Sequence, residues 1–356
     1  LERKLGSAVK VDPERVVVFP GGKPPIGLAQ QVYCGPGDEV IYPSPGFPIY
    51  ESFVRYVGAV PVPLHLDENY NFAFTPEYLS KLITPQTKLI YLNFPSNPTG
   101  GVVSTKQLED IAQVILDLCP EEVRVYSAEI YENIVFDDQT HSSIASIPGM
   151  ESRTIIASGF SKTYAWTGGR IGYAIFPTEE EANVFKNLNI NYFSCVAPYN
   201  QEGARVALES HLSEKSISNM VAKFQERRDV ILKKLNNITG ISCEKPGGAF
   251  YLFPNISGIC VNLGIVDYYA KLSTTERAKT SPSGLFQMFA LYHHNVAVLD
   301  RQSFGKIGSE DQHYIRLSIA SDLQLLEDGV RHLSDAVQDY SGIDKFFETR
   351  PDLNSS

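Results

Sequence analysis

One lysine in the chain occupies a position where its amine could act as a nucleophile. Lys162 follows the short apolar strand pattern Thr154–Ala157 and lies in a turn rich in glycine and serine, and Arg170 comes eight positions later. Core strands avoid lysine, and a partly desolvated lysine at a strand end is suited to nucleophilic attack. The segment also fits an ordinary surface lysine beside a glycine-rich turn, so the rest of the chain must decide.

Other loops carry residues that suit an anion and a planar ring. Gly22 and Lys23 open a helix, where N–H groups without a helical partner and the helix dipole favour a phosphate. Arg170 could add a charge-assisted hydrogen bond to that phosphate. Phe47, in a loop of proline and glycine, could stack on a planar ring. Taken singly, these residues also fit a tight turn, a surface ion pair and a core aromatic residue.

Three further polar residues follow or interrupt strand patterns. Asn97 lies in an Asn-Pro-Thr-Gly turn and Tyr131 follows a strand, so both could bond a ring oxygen, although an Asx turn and a buried tyrosine are the simpler alternatives. Arg316 lies inside the apolar strand pattern Tyr314–Ala320, where a charge is costly unless it meets an anion. A bidentate contact between Arg316 and a carboxylate ligand is favoured over an ion pair within the protein.

The elements that carry these residues alternate between strand and helix in the first half of the chain. Such alternation predicts an α/β fold with a mostly parallel sheet, in which ligands bind at the carboxyl ends of the strands. Loops after five strands would then converge on one crevice. We predict a large domain over residues 1–215 and a smaller C-terminal α+β domain over residues 216–356. The strands of the large domain are predicted at Val16–Phe19, Glu39–Tyr42, Ala59–Leu64, Lys88–Leu92, Val123–Tyr126, Thr154–Ala157 and Arg170–Phe176.

Later segments are predicted from the same patterns. Helical spacing extends over Thr105–Leu118, and a long helical stretch runs from Gln201 to Leu235. The polar stretch Lys271–Ser283 is typical of a mobile loop. In the smaller domain the patterns predict three strands and one helix, at Gly248–Pro254, Val296–Leu299, Tyr314–Ala320 and Leu323–Tyr340.

Composition argues against several classes of protein. The formal net charge is −10 and no basic tract stands out, so we expect no nucleic-acid partner. No apolar run reaches the length of a membrane span, and the chain does not begin with a signal peptide. The five cysteines are scattered, suggest neither a disulfide framework nor a metal site, and fit the reducing cytoplasm. The chain begins with leucine, so we expect its true N-terminus to lie further upstream.

The order of the motifs resembles that of a known family. Gly-Gly-Lys, Pro-Gly-Phe, Asn-Pro-Thr-Gly, Glu-Ile-Tyr, Ser-Lys followed after seven residues by Arg-x-Gly, and finally Arg-Leu-Ser are similar to the class I/II aminotransferases. These are fold-type I enzymes that use pyridoxal 5′-phosphate. The resemblance covers the chain from Leu1 to about Val337, and the combination of the Lys162 and Asn97 motifs is its most specific part.

The resemblance implies a role for each candidate residue. Lys162 would form a Schiff base with the cofactor and later shuttle the substrate α-proton. Arg316, with Asn97, would bind the substrate. The substrates would be an amino acid and a 2-oxo acid, no metal is implied, and the family is dimeric with active sites at the subunit interface. Cofactor contacts are implied for Gly22 and Lys23 (phosphate), Phe47 (ring stacking), Asn97 and Tyr131 (ring oxygen), and Ser161 or Ser158 with Arg170 (phosphate).

Several positions depart from the family pattern. We expect that the N-terminal arm which usually precedes this point lies outside the given sequence, and Asp300-Arg301 stands where Pro-Gly is usual. The largest departure is Ala128, because the family places an aspartate there to pair with the ring nitrogen. Glu129 is a poor substitute, since adjacent strand residues face opposite sides.

Two explanations of Ala128 are open. Either the enzyme works with a weak electron sink, or the chain is an altered form of an active enzyme; we favour the second because the other cofactor-binding positions are intact. Alternatives to an aminotransferase are a lyase, synthase or racemase on the same scaffold, or a catalytically weakened, cofactor-binding relative, which Ala128 favours.

Overall fold

The computed structural model describes residues 11–354, which divide into two compact units. The first unit holds the described residues up to Asn97, together with Gly101–Ala222 and Gly247–Ala249. The second unit holds Pro98–Gly100, Lys223–Pro246 and the described residues from Phe250 onward. The domain boundary expected between residues 215 and 216 stays a prediction, and the expectation about an N-terminal arm lies outside the described residues.

A seven-stranded sheet forms the centre of the first unit. Its order is β1-β7-β6-β5-β4-β2-β3, and every neighbouring pair is parallel except those that β7 makes with β1 and β6. The carboxyl ends of β1, β2, β4, β5 and β6 therefore lie at one edge, where β7 begins. This sheet confirms the predicted α/β fold. Its strands are β1 Val16–Phe19, β2 Glu39–Ser44, β3 Val60–His65, β4 Thr87–Leu92, β5 Arg124–Ala128, β6 Thr154–Gly159 and β7 Gly172–Ile175.

The central strands are buried on both faces, which explains their continuous apolar sequences. Every residue of β6 is buried. Tyr91 pairs with Tyr126 across β4 and β5, and their rings lie 5.1 Å apart between centroids. Tyr50 adds a third ring at 4.6 Å from Tyr91. These tyrosines and the aliphatic residues around them belong to one buried core cluster.

Helices cover the sheet, and α4 begins with a capping box between Ser104 and Gln107 as its sequence predicts. The stretch predicted as one long helix from Gln201 is instead two helices that meet at Ser210. The Ser210 backbone is extended, and its hydroxyl accepts a hydrogen bond from the Leu212 N–H. The helices that begin in this unit are α1 Pro24–Tyr33, α2 Ile49–Tyr56, α3 Pro76–Leu82, α4 Thr105–Leu118, α5 Phe160–Thr163, α6 Glu179–Phe193, α7 Pro198–Glu209 and α8 His211–Leu235.

The second unit contains a small antiparallel sheet of order β8-β10-β9. Its strands are shorter than predicted, because only two to four residues of each find a ladder partner. The strands are β8 Tyr251–Leu252, β9 Leu299–Asp300 and β10 Ile315–Ser318. The helices of this unit are α9 Ser257–Asn262, α10 Ile265–Lys271, α11 Thr274–Arg277, α12 Pro282–His294, α13 Leu323–Ala336, α14 Tyr340–Thr349 and α15 Pro351–Asn354.

Two predictions for this unit are wrong. The expected loop Lys271–Ser283 contains α11, which starts with a capping box between Ser273 and Glu276. The helix predicted to reach Tyr340 ends at Ala336. The Asp339 side chain caps a new helix, which begins at Tyr340. Both errors concern helix starts that are capped by polar side chains. Across the described ranges, no helix has the length and apolar character needed to cross a membrane.

Candidate active site

The glycine turn after β1 lies against the Arg170 side chain. Gly21 has a φ of +100°, which favours glycine, and a Cβ atom there would clash with the Arg170 guanidinium. Lys23, the N-cap of α1, makes no side-chain capping hydrogen bond. Because α1 begins with Pro24 and Pro25, which have no N–H group, the backbone N–H groups that could serve a phosphate beside the Arg170 guanidinium are those of Gly22 and Lys23.

Arg170 reaches this turn because β7 runs antiparallel to β6. The residue lies just before β7, at the edge where β6 ends, and has a φ of 47°. It was predicted inside the strand, but the ladder starts only at Gly172. Its Nη1 atom donates a hydrogen bond of 2.9 Å to the Thr167 carbonyl oxygen. This contact orients an exposed side chain towards Gly21, which the sequence spacing alone did not reveal.

Lys162 lies in α5, the single helical turn that follows β6. The Phe160 N–H donates to the Ile171 carbonyl oxygen at 3.1 Å, and the Phe160 ring stacks on Tyr164 with centroids 4.9 Å apart. The hydrogen bond fixes the start of the turn, and the ring contact packs one of its faces. The half-buried Lys162 therefore projects from a well-supported turn. Ser161, beside it, is also half-buried.

Asn97 and Ala128 are joined through Asn93, a residue that the sequence analysis did not single out. The Asn93 Oδ1 atom accepts from the Asn97 N–H at 3.2 Å, and its Nδ2 atom donates to the Ala128 carbonyl oxygen at 3.0 Å. All three residues are buried. The ends of β4 and β5 are thereby locked together. The signal in the sequence was an asparagine directly after the apolar run of β4.

Aromatic residues occupy two other loops at this edge. The Lys23 Nζ atom lies 5.5 Å from the centroid of the Phe47 ring, which is half-buried and packs edge-on against Tyr50. Tyr131 is 4% exposed, in the turn after β5. Phe47 therefore lies near the glycine turn, as a residue that stacks on a ring beside a phosphate would have to.

Glu129, next to Ala128, is fully engaged elsewhere. Ser127 and Ser143 donate to its Oε1 atom at 2.8 and 2.6 Å, and its Oε2 atom lies 3.0 Å from the His141 imidazole. Burial opposes ionisation of Glu129, but His141 and the two hydroxyl groups outweigh it, so its pKa lies below the ordinary value.

The two serines proposed for a phosphate contact differ in their surroundings. Ser158 is 1% exposed, and its hydroxyl donates to the Glu132 carboxylate at 2.9 Å. Because that hydrogen is already used, Ser161 is the better candidate for an anion contact.

Arg316 lies in β10 of the second unit, as predicted, and is surrounded by rings. Its guanidinium carbon is 4.4 Å from the centroid of Tyr251 and 5.0 Å from that of Phe304. Cation–π contacts of this kind hold a guanidinium in one orientation. Neither ring was singled out in the sequence, since both are distant from Arg316 along the chain.

Comparisons with known proteins agree on one family. The profile of aminotransferase class I and II matches residues 2–333. A bifunctional aspartate aminotransferase and glutamate/aspartate-prephenate aminotransferase from Petunia hybrida is 33% identical over 336 residues, which cover 94% of this chain and 66% of the petunia protein. An aspartate aminotransferase from Pyrococcus abyssi is 31% identical over 94% of this chain and 79% of its own length.

A solved structure extends the agreement to the fold. The crystal structure of an aromatic aminotransferase from Pyrococcus horikoshii superposes with a TM-score of 0.82 at 30% identity, covering 94% of this chain and 83% of that one. The resemblance seen in the motifs is thereby confirmed, and the chain belongs to the aminotransferase class I and II family of amino-group-transferring enzymes.

Proposed function

We propose that this chain is a pyridoxal 5′-phosphate-dependent aminotransferase, which moves an amino group from an amino acid to a 2-oxo acid. The observation that carries the proposal is the Arg170 guanidinium lying against Gly21 at the start of α1. This anion site shares one edge of the sheet with α5, which bears Lys162. A lysine near a phosphate site is what attachment of this cofactor requires.

The surrounding residues fit the cofactor at all but one place. Gly22, Lys23, Ser161 and Arg170 would hold the phosphate. Phe47 would stack on the ring, while Asn97 and Tyr131 would bond its oxygen. Lys162 would hold the cofactor covalently and carry the substrate α-proton. When bound, the cofactor supplies the electron sink for removal of that proton.

Ala128 is the one place where the fit is incomplete. It is 4% exposed in an apolar cluster and offers neither charge nor acceptor to the ring nitrogen. Position 128 therefore supplies no group that would hold a positive charge on that nitrogen, which favours a second candidate function: a cofactor-binding protein whose proton-removal step is slow. Both candidates predict that the cofactor binds.

Arg316 is proposed to bind the substrate α-carboxylate. Its guanidinium has aromatic surroundings and matches the planar shape of a carboxylate. The relatives act, by their names, on aspartate, glutamate, prephenate or aromatic amino acids. Acidic and aromatic amino acids are accordingly the first donors to test.

A homodimer is part of the proposal. Large apolar side chains from the last turn of α6 to the start of α8 are exposed, which is the usual sign of a surface covered by another chain. A second copy is the proposed occupant, and sedimentation analysis should give twice the chain mass. A monomer at micromolar concentration would contradict it. The exposed side chains are Ile190, Tyr192, Phe193, Tyr199, Val206, Leu208 and Leu212.

The proposed location is the cytoplasm. It rests on the five cysteines, all of which are free thiols, as a reducing compartment would keep them.

The decisive experiment is a panel of amino donors with 2-oxoglutarate as acceptor. Formation of glutamate, together with a visible absorption band of the bound cofactor, supports an aminotransferase. A bound cofactor without amino-group transfer, but with slow proton exchange at the donor Cα, supports the weakened relative. A chain that binds no cofactor contradicts both candidates.

A further inference from the structure

Two fully buried arginines lie in the second unit, and one of them is tied to the surroundings of Arg316. Arg301 and Arg228 are both 0% exposed. Burying a guanidinium is costly unless its N–H groups are well bonded. Arg301 opens a short 3₁₀ turn, Arg301–Phe304, that connects β9 with the loop leading to β10.

This turn is held at both ends by side chains. The Asp300 carboxylate accepts from the N–H groups of Gln302 and Ser303 and from the Ser303 hydroxyl at 2.6 Å. The Arg301 Nε atom donates to the Gln312 Oε1 atom at 2.8 Å, and its Nη1 atom donates to the Gly305 carbonyl oxygen at 2.9 Å. The first residues of the turn and the glycine after it are therefore fixed.

Phe304, the last residue of the turn, is one of the two rings around Arg316. It is 2% exposed and packs edge-on against Phe253. On the other side of the turn, Leu299 of β9 pairs directly with Arg316 of β10. Arg316 is therefore contacted on both sides of Asp300 and Arg301, by Leu299 of β9 through the backbone ladder and by the Phe304 ring at the end of the turn.

We propose that Asp300 and Arg301 are positioning residues for Arg316. By fixing the turn, they hold the Phe304 ring against the guanidinium and so set the direction in which its N–H edge meets a carboxylate. The inference rests on the proposed role of Arg316 in binding the substrate α-carboxylate. It gives a function to the Asp300-Arg301 pair, which departs from the usual Pro-Gly of the family.

The test compares Arg301→Met with Arg228→Met. Arg228 is the matched control, because it is equally buried but bonds Asp229 and the Pro246 carbonyl oxygen. We expect Arg301→Met to raise KM for the best donor of the panel about 10- to 100-fold, the scale of a misplaced binding group. Its kcat should change less, and the cofactor absorption band should match that of the unsubstituted enzyme. Arg228→Met should lose stability without this change in KM.

Two milder variants guard against misfolding of Arg301→Met. Gln312→Ala removes one acceptor of Arg301 at a half-buried residue, and Phe304→Leu removes the ring but keeps an apolar side chain. Both should raise KM in the same direction. Wild-type KM in both variants, or an equal rise in Arg228→Met, would overturn the proposal.

Arg316→Lys separates this inference from the proposed function. If Arg316→Lys raises KM and combining it with Arg301→Met adds little more, the two residues act together. Independent, multiplying effects overturn the positioning role alone. If Arg316→Lys leaves KM unchanged, the carboxylate role of Arg316 is wrong and the positioning role falls with it.

Discussion

Ala128 and Glu129 are neighbours at the end of β5, yet their surroundings are opposite in character. Ala128 belongs to the apolar core cluster that includes Tyr126 and Ala157. The Glu129 carboxylate accepts hydrogen bonds from Ser127, two residues earlier, and from Ser143, fourteen residues later. Successive strand residues face opposite sides, so a one-residue step separates an apolar environment from a saturated polar one.

The difference shows where charge is held at this edge of the sheet. Glu129 is 2% exposed, and its two oxygens have three partners, including His141. Removing the Glu129 carboxylate would leave the buried hydroxyl donors of Ser127 and Ser143 without this acceptor. Glu129 therefore stabilises the carboxyl-terminal edge of the sheet. Any charge that the chemistry needs on the Ala128 face of β5 must come from another residue.

The largest expected effect is at Lys162, which is proposed to hold the cofactor covalently at this edge of the sheet. Lys162→Ala should lose covalent attachment and lower turnover by at least the ~10²–10⁴-fold of a positioned acid–base group. Borohydride reduction and peptide mapping should label Lys162 in the parent protein and nothing in the variant. Lys106→Ala, an exposed lysine, is the control. A label on another lysine would show that the chemistry lies elsewhere.

The contrast between Ala128 and Glu129 is tested most directly by placing a negative charge at position 128. Ala128→Asp should speed the single-turnover half-reaction by ~10²–10³-fold, the usual worth of one preorganised electrostatic partner. Ala128→Asn is the matched control, because it has the same shape without the charge. The charge argument predicts a gain for the aspartate variant only. Equal rates in both variants would mean that the ring nitrogen needs no anion here.

The features that could be predicted from the sequence depend on consecutive residues. The features that were missed depend on contacts between residues distant in the chain. Strands β1 to β6 and helix α4 carry their signals in consecutive residues, so their positions could be predicted closely. The contact of Arg170 with Gly21 depends on β7 pairing with β6 and β1, which no local pattern encodes. Phe304 and Tyr251 meet Arg316 for the same reason. The capping box of α11 was readable, since Ser273 and Glu276 are local, but the polar composition masked it.

A smaller effect is expected when Glu129 loses its charge. Its lowered pKa means that the ionised form stabilises the fold above the ordinary pKa of 4.5, and that this contribution is lost as the pH falls through the lower folded value. Glu129→Gln should therefore cost about 1–3 kcal/mol at pH 7. The difference from the parent protein should shrink below pH 4.5. Urea unfolding at several pH values measures this, and a difference that is constant down to the acid range would contradict it.

The smallest effect concerns Ser127, one of the two hydroxyls on the same carboxylate oxygen of Glu129. Ser127→Ala removes a 2.8 Å hydrogen bond but leaves the 2.6 Å bond from Ser143 in place. Because the carboxylate stays partnered, the expected cost is only about 0.5–1.5 kcal/mol. The loss should be present at neutral pH and diminish once Glu129 is protonated, since the bond is strongest to the charged form. Ser127 lies on the Glu129 side, so the rate of the half-reaction and the cofactor absorption band should not change. A changed band would mean that the two sides of β5 are coupled, and that the polar network behind the strand takes part in the chemistry in front of it.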